Sequence, residues 1–422
     1  MMKKTIYYLL IYILTTNICH AEGLQKFVTA KSPESVGFSS ERLARLDSFI
    51  EKKIAENKLP NLVTFVARHG QIIHYKAFGW KDKEKGIKLQ KDDIYRNASQ
   101  TKAITSVALM MLYERGYFQM NDPVSKYIPE FKNPQVLVSF NKNDSTFITR
   151  PAKSEITIKQ LLSHTSGIQY ENPVYDKEKI PYVNCLRNVT LKQIIPKLAK
   201  LPLKHDPGEA FTYGLNCDVI GYLIEVMTGM PFDQYLKKNI FEPLQMKDTY
   251  FYLPKDKQDR LVKLYMTDPK DSLIKPSDNI QNATYPIAGA KTYFSGGAGL
   301  EGTIEDYAKF CQMLLNGGKF NNKQILSRKT IEMMTTNQIG DLFTWTNENK
   351  FGLGFELITE KGMSSLMGSV GTFKWGGMYS TDYNIDPKED MILLFYTNVS
   401  PNMYWEFNQY HRILTYQALV GE

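Results

Sequence analysis

The sequence predicts an α/β protein: one antiparallel sheet flanked by terminal helices, with a helical lobe inserted into it. Runs that read as strands cluster near both ends of the chain, while runs at helical spacing fill the middle. Strand-rich ends join most simply into a single sheet, and the middle then forms a second lobe against it. A 422-residue chain that is 43% hydrophobic can bury a large core, which excludes disorder. It shows no repeat of about 20–50 residues, which argues against solenoids and propellers. The α/β part is expected at about 33–100 and 290–422, and the helical part at about 101–289.

The elements follow in order. Ser40 can cap a helix whose apolar face is Leu43, Leu46, Phe49, Ile50 and Ile54. Leu62–His69 and Ile72–Ala77 read as two strands of a hairpin turning at Gly70-Gln71. Ala103, Ile104, Val107, Ala108, Met111 and Leu112 recur at helical spacing, and Gly116 ends that helix. Thr157 and Gln160 form a capping box before Leu161-Leu162. Thr303 and Asp306 open a helix with Phe310, Met313 and Leu314 inward, stopped by Gly317-Gly318. Met391–Thr397 is an apolar strand after the turn at Asp386-Pro387. A last helix, about Trp405 to Leu419, carries Phe407, Tyr410, Ile413 and Leu414.

Composition narrows the function. The chain has 52 basic and 44 acidic residues, a net charge of +8. Lysines alternate with acids, as in Lys81-Asp82-Lys83-Glu84-Lys85, which reads as a solvated face. No basic stripe with interleaved aromatics exists, so no nucleic-acid partner is expected. Lys3 and Lys4, the apolar run Ile6–Leu14 and Cys19-His20-Ala21 read as a secretory signal cut after Ala21. Residues 1–21 are then the signal, residues 22–422 the working domain, and the protein is exported to the periplasm or outside the cell. That apolar run is too short to span a bilayer, which takes about 20 residues, so no stable membrane anchor is expected. Thr16-Asn17-Ile18 is a poor lead-in for lipid attachment at Cys19. Cys185, Cys217 and Cys311 are widely spaced. They allow at most one disulfide and read most simply as buried thiols.

Several chemistries are absent. The chain has no G-x-S-x-G, no H-E-x-x-H and no P-loop. His69, His74, His164, His205 and His411 stand at no metal-ligand spacing, so neither a metal nor an organic cofactor is implied. His69 and His74 flank the hairpin turn and read as surface residues. Ser-x-x-Lys occurs three times, at Ser99, Ser139 and Ser272. Ser139 and Ser272 sit in loop-like surroundings. Ser99 alone opens a long, almost uncharged apolar helix, with Lys102 one turn on along the same face. A serine at a helix N-terminus has backbone N–H groups at hand for a developing oxyanion. A lysine in apolar surroundings has its pKa lowered and can serve as a base.

The match extends beyond four residues. Ile94-Tyr95-Arg96-Asn97-Ala98-Ser99-Gln100-Thr101-Lys102 resembles the nucleophile region of serine β-lactamases and penicillin-binding proteins. Leu161-Leu162-Ser163-His164-Thr165-Ser166-Gly167 looks like the next landmark, and Pro207-Gly208-Glu209-Ala210-Phe211-Thr212-Tyr213 like the approach to the family's tyrosine. Gly296–Leu300, Phe351–Phe355, Trp375-Gly376-Gly377 and Asp386-Pro387 follow in order. The resemblance spans roughly residues 33–400 and is closest to the class C β-lactamase-related branch, which includes the family VIII carboxylesterases. It implies a β-lactamase/transpeptidase-like fold and an acyl-enzyme at Ser99. Lys102 would be the base, or would hold Tyr213 deprotonated so that Tyr213 serves. The N–H groups of Ser99 and Met378 would form the oxyanion hole, with Trp375, Gly376, Gly377 and Asn216 as substrate contacts. His164 and Asn97 are expected to be structural.

Two departures stand out. The family's Tyr-x-Asn is here Tyr213-Gly214-Leu215-Asn216, with Asn one place late. True triplets occur at Tyr170, Tyr182 and Tyr396, but so loose a pattern gives way to the Pro-Gly-x-x-Phe-x-Tyr approach to Tyr213. The third motif usually offers a cation to a substrate carboxylate. Here the position is Trp375, and Lys374 points to the opposite face of the strand. Losing a charge-assisted contact removes roughly 1.5–3 kcal/mol. An uncharged ester is therefore expected over a carboxylate-bearing lactam. The rival readings are a D-alanyl-D-alanine carboxypeptidase or β-lactamase, an acyltransferase, and a non-catalytic peptidoglycan-binding module on the same fold.

Overall fold

The computed structural model describes residues 26–170, 172–181, 187–345 and 348–421. The signal segment, Cys185 and the Tyr182 triplet lie outside them. Helix α1 (Ser40–Ala55) precedes the hairpin β1 (Asn61–Arg68) and β2 (Gln71–Asp82). Then come α2 (Thr101–Glu114), α3 (Ile158–Leu162), α4 (Asn216–Thr228) and α5 (Ile304–Leu315). The chain closes with β3 (Phe373–Gly377), β4 (Thr381–Asp386), β5 (Met391–Tyr396) and α6 (Phe407–Tyr416).

The main sheet runs β2, β1, β5, β4, β3, and these neighbours are antiparallel. It joins the two ends of the chain, because β5 from the C-terminal region lies beside β1 along Met391–Tyr396 against Arg68–Val63. The alternating pattern of β1 and β5 is lost because both are buried throughout, sandwiched between layers. One apolar cluster behind them holds Leu43, Leu46, Ile50, Val66, Leu393 and Phe407 from α1, the sheet and α6. The larger cluster, on the other side, takes in α2, α4 and α5. This is the mixed α/β architecture that the spread of strands and helices along the sequence predicts.

Four local readings change. The turn of the first hairpin is His69-Gly70, and both residues have positive φ, so β2 starts at Gln71. His74 is buried, not surface: Nδ1 meets Thr64 Oγ1 at 2.6 Å and Nε2 meets Asp47 Oδ1 at 2.7 Å. A ring with a hydrogen-bonding partner at each nitrogen can be buried at little cost. The last helix is shorter than its pattern and turns a different face inward. Phe407, His411, Arg412 and Thr415 are buried, while Tyr410 and Ile413 are exposed. Ser139 lies on a strand, Gln135–Phe140, rather than in a loop.

Helix α2 is the spine of the inserted lobe. Every residue from Thr101 to Leu112 is buried, so it is apolar all round rather than amphipathic. Leu109→Ala in its middle is expected to cost about 2–5 kcal/mol, read as a lower urea midpoint at unchanged slope.

Candidate active site

The nucleophile candidate sits where sheet and spine meet. The short strand Tyr95–Arg96 leads into a 3₁₀ turn, Ala98–Gln100, and directly into α2. Ala98 is buried with φ 45°, in the left-handed region that a side chain disfavours. That conformation is held by β3 and β4. A Cβ on Gly377 would lie 2.4 Å from the Asn97 carbonyl oxygen, so only glycine lets β3 approach the turn this closely. Thr381 Oγ1 donates to the same carbonyl at 3.3 Å.

Lys102 is buried one turn along α2. Its ammonium donates to Ser99 Oγ at 3.2 Å, to the Tyr170 hydroxyl at 2.9 Å and to the Gly297 carbonyl at 2.6 Å. Three acceptors match the three N–H donors of a charged lysine. Burial works against that charge, but the Tyr170 and Tyr213 phenols beside it outweigh burial and hold Lys102 above the ordinary lysine range. The lowered pKa expected from apolar surroundings is thus reversed. The surroundings are not purely apolar, because two phenols and a carbonyl face the amine.

Tyr213 lies in the same space, with its ring against the amine and its hydroxyl bonded to Trp375. The ring centroid is 4.5 Å from Lys102 Nζ, a cation–π contact. Its oxygen accepts from Trp375 Nε1 at 3.1 Å. The phenol that meets Lys102 is Tyr170, pushed up in pKa by burial. Tyr170 heads a Tyr-x-Asn triplet and stands three residues after the Leu161–Gly167 run, so the signal for it was in the sequence.

Ser99, Tyr213 and Met378 line two adjoining cavities. One is about 890 Å³ and is also lined by Tyr170, Asn282 and Ala298. The other is about 350 Å³ and is lined by Trp345, Trp375, Gly376 and Gly377. The backbone N–H groups of Ser99 and Met378 have no protein acceptor among the described residues, so both are available to a ligand oxygen. Trp375 is nearly buried and stacks on the exposed Trp345 at 5.1 Å, which also packs on Tyr213. Trp345 carried no sequence signal, because it comes from an irregular segment. Lys374 does not leave the site for the far face of β3 as its place in the strand suggested: it pairs with Glu356 at 2.9 Å, and both line the smaller cavity.

Asn216 is not at the cavity. It is fully buried at the start of α4, where Ser166 Oγ donates to its Oδ1 at 2.5 Å and its Nδ2 donates to His164 Nδ1 at 2.9 Å. Its side chain is used up in tying α4 to the Leu161–Gly167 run, so the geometry does not offer it as a substrate contact. Burial and the Lys102 charge hold His164 well below the usual histidine range, which fits a neutral ring accepting that bond. Cys217 and Cys311 are buried free thiols.

A family model described as Beta-lactamase matches residues 46–417. Esterase EstB of Burkholderia gladioli is 27% identical over 397 residues, covering 88% of this chain and 95% of that one. An Escherichia coli K12 protein, named provisionally as a D-alanyl-D-alanine carboxypeptidase, is 27% identical over 419 residues, covering 94% and 91%. Among solved structures, EstCE1, titled a hydrolase with promiscuous acyltransferase activity, superposes with a TM-score of 0.77. It is 26% identical and covers 89% of this chain and 99% of its own. A match over most of the length, with Ser99 and Lys102 joined at the foot of the spine helix, shows that the chain belongs to the beta-lactamase family and is one of its serine hydrolases.

Proposed function

We propose that this serine hydrolase cleaves carboxylic esters through an acyl-enzyme at Ser99. The observation that carries the reading is the Lys102 ammonium 3.2 Å from Ser99 Oγ in a cavity walled by Trp375 and Trp345. Ser99 Oγ adds to the ester carbonyl carbon and its proton passes to the Tyr213 oxygen. The oxyanion lies against the N–H groups of Ser99 and Met378. The alcohol leaves with the proton from Tyr213. Water then adds to the acyl carbon, and the acid departs as Ser99 regains its proton.

Tyr213 is favoured as proton acceptor because its oxygen already accepts from an indole N–H and its ring lies against the ammonium. The mechanism uses Tyr213 as its phenolate, with the Trp375 N–H on the oxygen and the Lys102 ammonium against the ring. Tyr170 then holds Lys102 in place. Tyr213→Phe is expected to lower kcat by about 10²–10⁴-fold and Tyr170→Phe by much less. Equal losses would reassign the base.

At Trp375 an aromatic wall stands in the place of a cation, and Lys374 of the same cavity is already paired with Glu356, which favours an uncharged acyl group. The ester activity named for EstB and EstCE1 agrees. Turnover of p-nitrophenyl butyrate against nitrocefin tests this. Strong nitrocefin hydrolysis without ester turnover would put the β-lactamase or carboxypeptidase reading first. Transfer to an added alcohol outrunning hydrolysis would make the protein an acyltransferase. Failure of a fluorophosphonate to label Ser99 would leave a binding module. Residues 1–21 support export, and among the described residues no helix is long and apolar enough to cross a membrane. A secreted form whose N-terminus is Glu22 would establish the cut.

A further inference from the structure

Lys102 is a buried ammonium with no carboxylate in ion-pair contact among the described residues. A buried charge without a counter-charge is costly, so the surroundings should contain one. The candidate is Asp218, in the first turn of α4. It is fully buried, and its Oδ2 has no hydrogen-bond partner. Its Oδ1 accepts from the Tyr293 hydroxyl at 3.3 Å.

The bare α-carbon of Gly297 brings the groups together. A Cβ built there would stand 2.6 Å from Asp218 Oδ2, 3.1 Å from the Tyr170 hydroxyl and 3.6 Å from Lys102 Nζ. The orphan carboxylate oxygen is therefore within about 6 Å of both the ammonium and the phenol that binds it. The carbonyl of Gly297 meanwhile accepts from Lys102. A helix start is a favourable place for a carboxylate, but the unpartnered oxygen aimed at Gly297 is what marks this one.

We infer that Asp218 is a positioning residue for the Ser99 chemistry: its carboxylate is the counter-charge of Lys102 and sets the pH at which the Lys102–tyrosine group can take up the serine proton. The inference rests on the hydrolase reading. The direction does not depend on which group is the base. A negative charge nearby makes a proton harder to remove from a lysine or a tyrosine, so the base is loaded only at higher pH. The titratable groups facing Asp218 agree. Lys102, from α2, draws the carboxyl down, and Asp218 in turn pushes the Tyr170 phenol up. Burial dominates for Asp218 itself and pushes it up to about 6, so it is ionised at neutral pH and above. Its helix neighbour Cys217 is pushed up to about 12 by burial and stays neutral there. Tyr293, from the segment before the glycine run, donates to it.

The test is the pH profile of kcat/KM for p-nitrophenyl butyrate. In Asp218→Asn the rising limb is expected to move to lower pH by about one unit, the effect of one charge at this separation in partly screened surroundings. Asp218→Glu keeps the charge and is expected to hold the limb near its wild-type place. A limb that stays put in a folded Asp218→Asn protein, or moves equally in both variants, overturns the inference. Should the Asn variant not fold, the same coupling is read in reverse. With ¹³C-carboxyl-labelled aspartate, the Asp218 titration is expected to rise by about one unit in Lys102→Met, and an unmoved titration overturns the inference. That second measurement needs no turnover, so loss of the hydrolase reading alone would show as an inactive wild type with the coupling intact.

Discussion

Ser99→Ala is expected to abolish ester turnover, by at least about 10⁴-fold in kcat, because no covalent path remains once the nucleophile of an acyl-transfer group is removed. Fluorophosphonate labelling should vanish with it. The variant should fold as the wild type does. Lys102 keeps its bonds to Tyr170 and Gly297, and the turn before it is fixed through the Asn97 carbonyl rather than the serine hydroxyl. The measurement is the p-nitrophenolate rate beside a melting curve. Substantial turnover with Ser99 gone would move the chemistry elsewhere in the cavity.

Lys102→Met is the second large effect, and it should lower activity and stability together. The methionine fills much of the same volume but donates nothing to Ser99 or the phenols, so kcat is expected to fall by about 10³-fold or more. Stability should fall as well, because removing one of two facing buried charges leaves the other, Asp218, uncompensated. The Met variant should thus unfold at a lower urea concentration while turning over almost no ester. An unchanged urea midpoint would mean that the two charges do not support each other in the fold.

The sequence made the frame legible through periodicity. The α1 face, the spine helix and the Thr157 capping box all lie where their spacing puts them. The Ser99–Lys102 pair was legible because both residues sit on one short stretch of helix. What depended on distant packing was not. Whether Tyr170 or Tyr213 meets the amine is decided by how two loops settle around Lys102, and local spacing says nothing of that. Asn216 read as a substrate contact because it stands one place after the asparagine of the family's Tyr-x-Asn motif, yet starting a helix turned it into the interior. The lysine's raised pKa came from tyrosines 68 residues or more away in sequence. His74 shows the same limit, since its partner Asp47 lies on another element.

The way the two ends of the chain share one sheet bears on biogenesis. The carbonyl that fixes the nucleophile turn is held by Thr381, 284 residues downstream of Asn97, and β1 finds its second partner only when residues 391–396 have been made. A growing chain can assemble its helical lobe early, but the serine turn has no scaffold until the last few dozen residues emerge. Pairings this distant form slowly and late. The polypeptide should therefore stay chemically silent throughout synthesis, acquiring reactivity only as its final strands dock. A ribosome stalled before those strands would carry a nucleophile that no acylating probe can find.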